Sequence, residues 1–171
     1  MLIEEKMQVV EAEDFKIAMR SCAAPVGILT HAGPAGRSGI TITSFVSVSA
    51  CPPRVLVCVN NTSQISGRIC ESEVFCVSLL SEKQLHLAEV FSGETGVPRE
   101  NRFLHGEWDC LSTGSPALTG ALVNFDCRLH KMIPCATHSL MIGSVVSIQR
   151  EEDSPLLYSN RAYSSVASLN V

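Results

Sequence analysis

The stretch from Gly39 to Ser63, GITITSFVSVSACPPRVLVCVNNTS, restricts the fold more than any other part of the chain. Its first half mixes hydroxyl-bearing and apolar residues in a pattern typical of an extended segment. Cys51-Pro52-Pro53 ends that segment, because proline has no N–H to donate to a sheet and has a fixed φ. Arg54 to Val59 follows as a short β-branched run, which predicts a buried strand. The stretch therefore predicts two extended segments separated by a proline-rich break.

The same stretch suggests a ligand site. A row of small hydroxyls can bind an oxygen-rich anionic ligand while bringing the backbone close to it, and Asn60 to Ser63 adds polar side chains before a predicted helix. The N-terminus of that helix offers free N–H groups and a favourable dipole to a phosphate. An ordinary Ser/Thr-rich edge strand followed by a capped helix explains the residues equally well, so spacing alone leaves both interpretations open.

The remaining chain predicts short strands and few helices, without repeats or low-complexity tracts. The segment Ser81-Glu82-Lys83-Gln84 has the form of a capping box and predicts the start of a helix. Residues 92–114 are the least regular part and predict a long loop. Together the elements point to a mainly β fold, a closed or nearly closed antiparallel barrel with a few short peripheral helices. The predicted strands cover residues 26–31, 37–43, 44–49, 54–59, 74–80, 123–131 and 138–148, and the predicted helices cover residues 14–22, 63–71 and 82–91.

Two of these strands carry further information. Residues 123–131 alternate between apolar and polar side chains, which predicts a strand with one face in water. Residues 138–148 are apolar on both faces. A barrel buries only one face of a strand, so the second face predicts contact with another chain.

Size and charge exclude several classes. A chain of 171 residues predicts one domain, which we place at residues 13–171 after a leader at residues 1–12. The net charge of −4 and the scattered Lys and Arg residues argue against a nucleic-acid-binding surface. No segment approaches the about 20 apolar residues of a membrane span, and the acidic start does not resemble a signal peptide. We therefore expect a cytoplasmic protein that does not bind membranes.

The eight cysteines predict reduced thiols. They show no C-x-x-C pair and no His partners at the spacing of a structural zinc site, so we expect no metal centre. Cys58, Cys76 and Cys127 occupy apolar strand patterns, where cysteine acts as a small hydrophobic residue. Cys51 differs because it lies within the predicted ligand segment.

Several motifs in order resemble the flavin reductase-like family, the small reductase components of two-component flavin monooxygenases. The Gly39–Ser63 stretch is similar to the family's G-M-T-A-S-S-F-x-S-V-S-x-x-P-P pattern. The resemblance continues through Asn101-Arg102-Phe103, GSPALTG at residues 114–120, THSLMIG at residues 137–143 and PLLY at residues 155–158 with Tyr163. It covers roughly residues 13–165.

The resemblance implies the Greek-key, FMN-binding split barrel, as a homodimer with flavin sites at the subunit interface. It implies an NAD(P)H-dependent flavin reductase that takes NADH or NADPH as reductant, transfers hydride to FMN or FAD and supplies reduced flavin to a partner monooxygenase. The main alternative is a flavoprotein of the same fold that keeps FMN tightly bound and acts in electron transfer or flavin binding. A pyridoxamine-phosphate-oxidase type would need a basic phosphate cluster that residues 39–63 lack. An oligonucleotide-binding barrel fits poorly with only 5% aromatic residues.

The resemblance also assigns site residues, and it requires no catalytic nucleophile or acid–base pair. Phe91, Arg102 and Phe103 match positions that close over the cofactor, although a solvated loop arginine is an equal interpretation of Arg102. His138, Arg161 and Tyr163 are the candidates for binding nicotinamide. Flavin is assigned to Thr41, Thr43, Ser44, Phe45, Ser47, Ser49, Ala50 and Cys51, with Asn60, Asn61 and Ser63 toward the ribityl or phosphate groups.

The chain departs from the family pattern at two points. Thr137 replaces the usual acidic residue before His138, which predicts a weakly oriented imidazole. Ala24-Pro25 stands where Thr-Gly or Ser-Gly is more common.

Overall fold

The computed structural model describes residues 9–167, so residues 1–8 of the predicted leader and residues 168–171 of the predicted domain lie outside the described part. The protein is mainly β, which confirms the predicted fold class. Its helices are α1 (Ala12–Met19), α2 (Gln64–Ser72) and α3 (Leu85–Ser92). Its strands are β1 (Ala24–Pro25), β2 (Gly27–Gly33), β3 (Gly36–Ile42), β4 (Phe45–Ala50), β5 (Pro53–Asn60), β6 (Val74–Leu79), β7 (Trp108–Cys110), β8 (Pro116–Leu118), β9 (Val123–Cys135), β10 (His138–Arg150), β11 (Leu157–Ser159) and β12 (Ala162–Ser164).

Seven antiparallel strands form the main sheet in the order β3-β2-β6-β9-β10-β5-β4. The first and last strands of this order are consecutive in the chain, because only Thr43 and Ser44 separate them. Three Cα–Cα steps span at most about 11 Å, so the sheet curves until its two edges approach each other at this corner. The corner is the segment to which the sequence assigns a flavin.

Two apolar clusters pack against opposite faces of the sheet, since neighbouring residues of β2, Ile28 and Leu29, belong to different clusters. One packs Phe75, Val57 and Met141 from the strands against Ile65 and Ile69 of α2. The other lies under α3 and contains Phe91. The amphipathic pattern of α2 and α3 explains their docking, since each helix buries one face against the strands.

The predicted capping box is confirmed. The Gln84 side chain accepts a hydrogen bond from the Ser81 backbone N–H at 3.1 Å, and the Ser81 side chain caps in return. The helix that follows starts with a 3₁₀ turn at Glu82–Gln84, and α3 itself begins at Leu85. The first predicted helix forms as α1, but none of its side chains is buried and Phe15 is 57% exposed.

Part of the predicted loop at residues 92–114 forms regular secondary structure. It contains a 3₁₀ helix at Arg99–Leu104 and strand β7. Trp108 anchors the segment because its indole N–H donates to the His105 carbonyl at 2.9 Å and its ring packs against Phe91 and Phe103.

The prediction that the polar side of β9 faces water is wrong for the first half of the strand. Asn124 and Asp126 are fully buried, because the segment 113–118 covers them. The Asp126 carboxylate accepts hydrogen bonds from the N–H and the hydroxyl of Thr113, and the Asn124 amide donates to the Leu118 carbonyl at 2.9 Å. The alternation identified the strand correctly, but the first half of its polar face binds the preceding loop.

All eight cysteines lie among the described residues as free thiols, and their reduced state stays a prediction. Burial raises the pKa of Cys127 to about 12 and raises that of Cys76 further. Both thiols are therefore neutral and unreactive at physiological pH. Within residues 9–167, every helix is too short or too polar to cross a membrane.

Candidate functional site

The corner between β3 and β4 is tied to β5 by the Ser44 side chain. The Ser44 hydroxyl donates to the Cys58 carbonyl at 2.7 Å and accepts from the Cys58 N–H at 3.2 Å. The Cys58 N–H also donates to the Ser44 backbone carbonyl at 3.3 Å, so the backbone and side chain of Ser44 together hold the turn against β5. Within the chain described, Ser44 has a structural role that the family pattern alone did not indicate.

Thr41 and Thr43 lie together beside the C-terminal hairpin. The Thr41 hydroxyl donates to the Ala88 carbonyl of α3 at 2.7 Å, which fixes that helix against β3. Thr41 and Thr43 line a small cleft of about 170 Å³ with Glu94 and Tyr163. The structure thus brings two of the predicted flavin residues next to one predicted nicotinamide residue.

Strand β4 continues from this corner. Phe45 packs inward against Phe125, with ring centroids 5.1 Å apart. The Ser49 hydroxyl accepts from the Cys51 N–H at 3.2 Å and shapes the turn before the prolines. Three further predicted residues, Ser47, Ala50 and Cys51, are exposed and accessible to a ligand.

The end of β5 meets the start of β10 and forms a polar rim. Asn60 pairs with His138 across the two strands. The Asn61 amide oxygen accepts from the Ser139 hydroxyl at 2.8 Å, which holds Asn61 in place. The Thr137 hydroxyl lies 2.9 Å from Nδ1 of His138. Thr137 therefore orients the imidazole, contrary to the expectation from the missing acidic residue, and Nε2 has no hydrogen-bond partner among the described residues.

Three predicted residues lie inside the protein and not over a cleft. Phe91 is 1% exposed and Phe103 is 7% exposed, and their rings pack edge to face at 5.2 Å. Arg102 is 8% exposed and donates from Nη1 to the Phe91 carbonyl at 2.8 Å. Arg102 is therefore not a solvated loop arginine, and burial, followed by the charge of Arg99, lowers its pKa. The aromatic core of the chain surrounds these residues, and their closure over the cofactor stays a prediction. The rings of Phe91 and Phe103 pack against β3 at Gly39.

The C-terminal hairpin carries the other two nicotinamide candidates. Tyr163 packs against Tyr158 with ring centroids 5.1 Å apart. Burial, followed by the charge of Glu94, raises the Tyr163 pKa. Arg161 is exposed and has a φ of +62°, next to Asn160 at +47°, so the two residues form a tight turn in the left-handed region. His138 lies on the separate β5–β10 rim.

A larger cleft of about 520 Å³ opens between β3, the start of α2 and the 3₁₀ helix at Arg99–Leu104. Ser63 is the one predicted site residue that lines it. Its arginines, Arg37, Arg68 and Arg99, come from three separate segments. In the sequence these arginines are scattered, and no local pattern shows that they converge.

Comparison with known proteins gives a consistent result. A family model described as a flavin reductase-like domain matches residues 19–167. An FMN reductase (NADH), RutF of Pantoea ananatis, is 37% identical over 164 residues, which cover 95% of this chain and 85% of the relative.

Two solved structures share the fold at 27–28% sequence identity. BorF, the flavin reductase component of a bacterial two-component tryptophan halogenase, superposes with a TM-score of 0.84 at 28% identity and covers 93% of this chain and 100% of its own. Flavin reductase HpaC in complex with NADP+ superposes with a TM-score of 0.83 at 27% identity, with the same coverage of both chains.

Proposed function

The chain belongs to the flavin reductase-like domain family and is a flavin oxidoreductase, and from that premise we propose that it transfers hydride from NADH to FMN and passes reduced FMN to a separate oxygenase. The choice of FMN and NADH follows the similarity to the Pantoea enzyme. The oxygenase partner follows the similarity to BorF, which is a component of a two-component halogenase. The eight free thiols support a reducing compartment, and we propose the cytoplasm.

The observation that carries the proposal is the position of Ser63. This residue ends the polar run that follows β5, and it also lines the arginine cleft. A ligand that contacts the β3–β4 corner, where Ser44 binds Cys58, and the rim at Asn60 two residues further along β5 therefore has a path toward a positively charged cleft. A flavin nucleotide combines these requirements, since it has a flat polar ring, a hydroxylated chain and a phosphate.

In this mechanism a bound flavin supplies the ring that accepts the hydride. The contribution of the chain is to hold two ring systems in register, because hydride transfer depends on close and aligned reactants. We propose that the β3–β4 corner positions the flavin. On the adjacent rim, Thr137 holds His138 so that Nε2 is available to the nicotinamide amide.

The function can be tested by steady-state NADH oxidation with FMN, FAD or no added flavin. We expect oxidation to require added flavin, to be faster with FMN than with FAD and to be faster with NADH than with NADPH. A protein that purifies with FMN and does not oxidise NADH when flavin is added would instead be a tightly bound flavoprotein.

We further propose that the protein acts as a homodimer. Strands β4 and β10 flank β5 and carry exposed apolar side chains, Val46, Val48, Val146 and Ile148, each between 43% and 57% exposed. Such side chains on neighbouring strands are typical of a sheet surface that a second chain covers. Light scattering of the wild type and of Val146→Glu tests this: a dimer that the charge dissociates supports it, and a wild-type monomer contradicts it.

A further inference from the structure

Two imidazole rings meet at the surface outside both clefts. His86 lies in the first turn of α3, and His105 directly follows the 3₁₀ helix at Arg99–Leu104. Their ring centres are 5.3 Å apart, and their planes cross at 61°. His86 is exposed and His105 is half-buried, so a small ion in solution can reach the pair.

The backbone holds the two histidines next to each other. The His105 carbonyl accepts a hydrogen bond from the Trp108 indole at 2.9 Å. Gly106 has a φ of +79°, and a Cβ there would come within 3.2 Å of a methyl carbon of Leu87, so this turn packs directly on α3. Leu87 is the neighbour of His86 in the chain. The fold therefore sets the spacing of the two rings, which is the pre-organisation that a ligand site requires.

The nitrogens of both rings are available to a ligand. Among the described residues, the imidazoles that make side-chain hydrogen bonds are those of His31 and His138. No group of three His, Cys, Asp or Glu side chains that could hold a metal is found in the same part of the chain. The pair is therefore not a closed structural zinc site, and a metal bound by two histidines would keep water at its other positions.

The spacing of the rings matches a shared tetrahedral metal. A metal about 2.0–2.1 Å from a ring nitrogen lies about 3.2 Å from the centre of that imidazole. Two such rings have centres about 5.2 Å apart at a tetrahedral angle, and about 4.5 Å apart at a right angle. The observed 5.3 Å agrees with the tetrahedral value. Zn²⁺ adopts this geometry with imidazole, whereas Cu²⁺ and Ni²⁺ prefer right angles and Mg²⁺ and Ca²⁺ prefer oxygen ligands.

We propose that His86 and His105 form a two-histidine site for Zn²⁺, with water at the remaining positions. One ring nitrogen of each histidine donates its lone pair to the metal. The metal connects α3, which contains Phe91, to the end of the 3₁₀ helix, which contains Phe103. Because only the folded chain brings the two histidines together, zinc binding stabilises the folded state. The inference does not depend on the proposed function.

The test measures Zn²⁺ binding and thermal unfolding of the flavin-free protein in a buffer without phosphate or chelator. Calorimetry should show a single zinc site in each chain. At a free Zn²⁺ concentration about ten times the Kd, we expect Tm to rise by about 3–6 °C. Thiolates also bind zinc, so N-ethylmaleimide first blocks the exposed cysteines, which are Cys22, Cys51, Cys70, Cys110 and Cys135.

Two variants each remove one ligand of the site. His86→Asn and His105→Asn should each raise the Kd for Zn²⁺ at least about tenfold and remove most of the Tm shift, because two linked ligands bind far more tightly than one. The Tm of each variant without zinc is its own reference, so a change in intrinsic stability does not affect the comparison. His130→Asn, at an exposed position on β9, is the matched control and should bind zinc like the wild type.

An unchanged Kd in both variants, or no zinc binding to the thiol-blocked wild type, would overturn the inference and leave the two rings as an edge-to-face pair. NADH oxidation is not among these measurements. A failure of the proposed reductase function would therefore leave the zinc result unchanged.

Discussion

Gly39 lies where β3 passes over the buried aromatic rings, and it allows the closest backbone approach at the cleft. A Cβ at this position would lie 2.8 and 3.0 Å from two carbons of the Phe91 ring and 3.3 Å from Phe103. Ordinary carbon contacts are about 3.5–4.0 Å, so at least one ring must move by several tenths of an ångström. Both rings are buried and pack against Trp108, which leaves them little room.

We therefore expect Gly39→Ala to lower the free energy of unfolding by about 1–3 kcal/mol, the usual cost of overpacking a core. For a domain of this size the loss corresponds to a fall in Tm of roughly 2–12 °C. Urea denaturation followed by circular dichroism measures it.

Two further variants make this prediction specific. Gly67→Ala is the control, since Gly67 is exposed in α2 with nothing within 4 Å of the new Cβ, and alanine favours a helix by about 1 kcal/mol over glycine. The double variant Gly39→Ala/Phe91→Leu should lose less stability than the sum of its single variants, because leucine makes room for the Cβ. A Gly39→Ala protein as stable as the wild type, or strict additivity in the double variant, would refute the reasoning.

Three other predictions follow from buried or oriented polar groups. Asp126→Ala should lower the free energy of unfolding, measured by urea denaturation, by about 2–4 kcal/mol, because it removes two charge-assisted hydrogen bonds from Thr113. A loss below about 0.5 kcal/mol, the lower limit for one hydrogen bond, would contradict this. Burial, followed by the charge of Arg68, lowers the pKa of His31 in the folded protein. The unfolded chain therefore binds the proton at a higher pH than the folded protein does, and the free energy of unfolding falls as the pH drops below about 6.5. His31→Gln should flatten this decline, and an equally steep one would show that another group causes it. His138→Ala should raise the KM for NADH roughly threefold to tenfold with an unchanged Kd for FMN, and Thr137→Val should have a smaller effect in the same direction. Stopped-flow reduction at several NADH concentrations measures both effects. Loss of FMN binding in His138→Ala would show that the histidine binds flavin and not nicotinamide.

Local patterns predicted the strands and helices well, because each depends on nearby residues. The β-branched run at residues 54–59 is β5, the capping box at Ser81 is present, and the alternation at residues 123–131 is a strand. The bend that the sequence predicts at Ser44 is the corner between β3 and β4, where the predicted ligand segment begins.

Long-range contacts account for what the sequence did not show. The first half of the polar side of β9 is buried because the preceding segment 113–118 folds back over it, and no pattern within residues 123–131 encodes that contact. Arg102 looked like a loop residue, but its hydrogen bond to the Phe91 carbonyl depends on the fold of the intervening chain. The three arginines of the cleft converge for the same reason.

Anaerobic stopped-flow mixing of the protein and FMN with NADH tests the central claim most directly. The account predicts that the visible absorbance of oxidised FMN disappears at a rate that increases with protein concentration and saturates with NADH. FMN that stays oxidised, or is reduced no faster than in buffer without the protein, would contradict the assignment of this chain as an NADH-dependent FMN reductase.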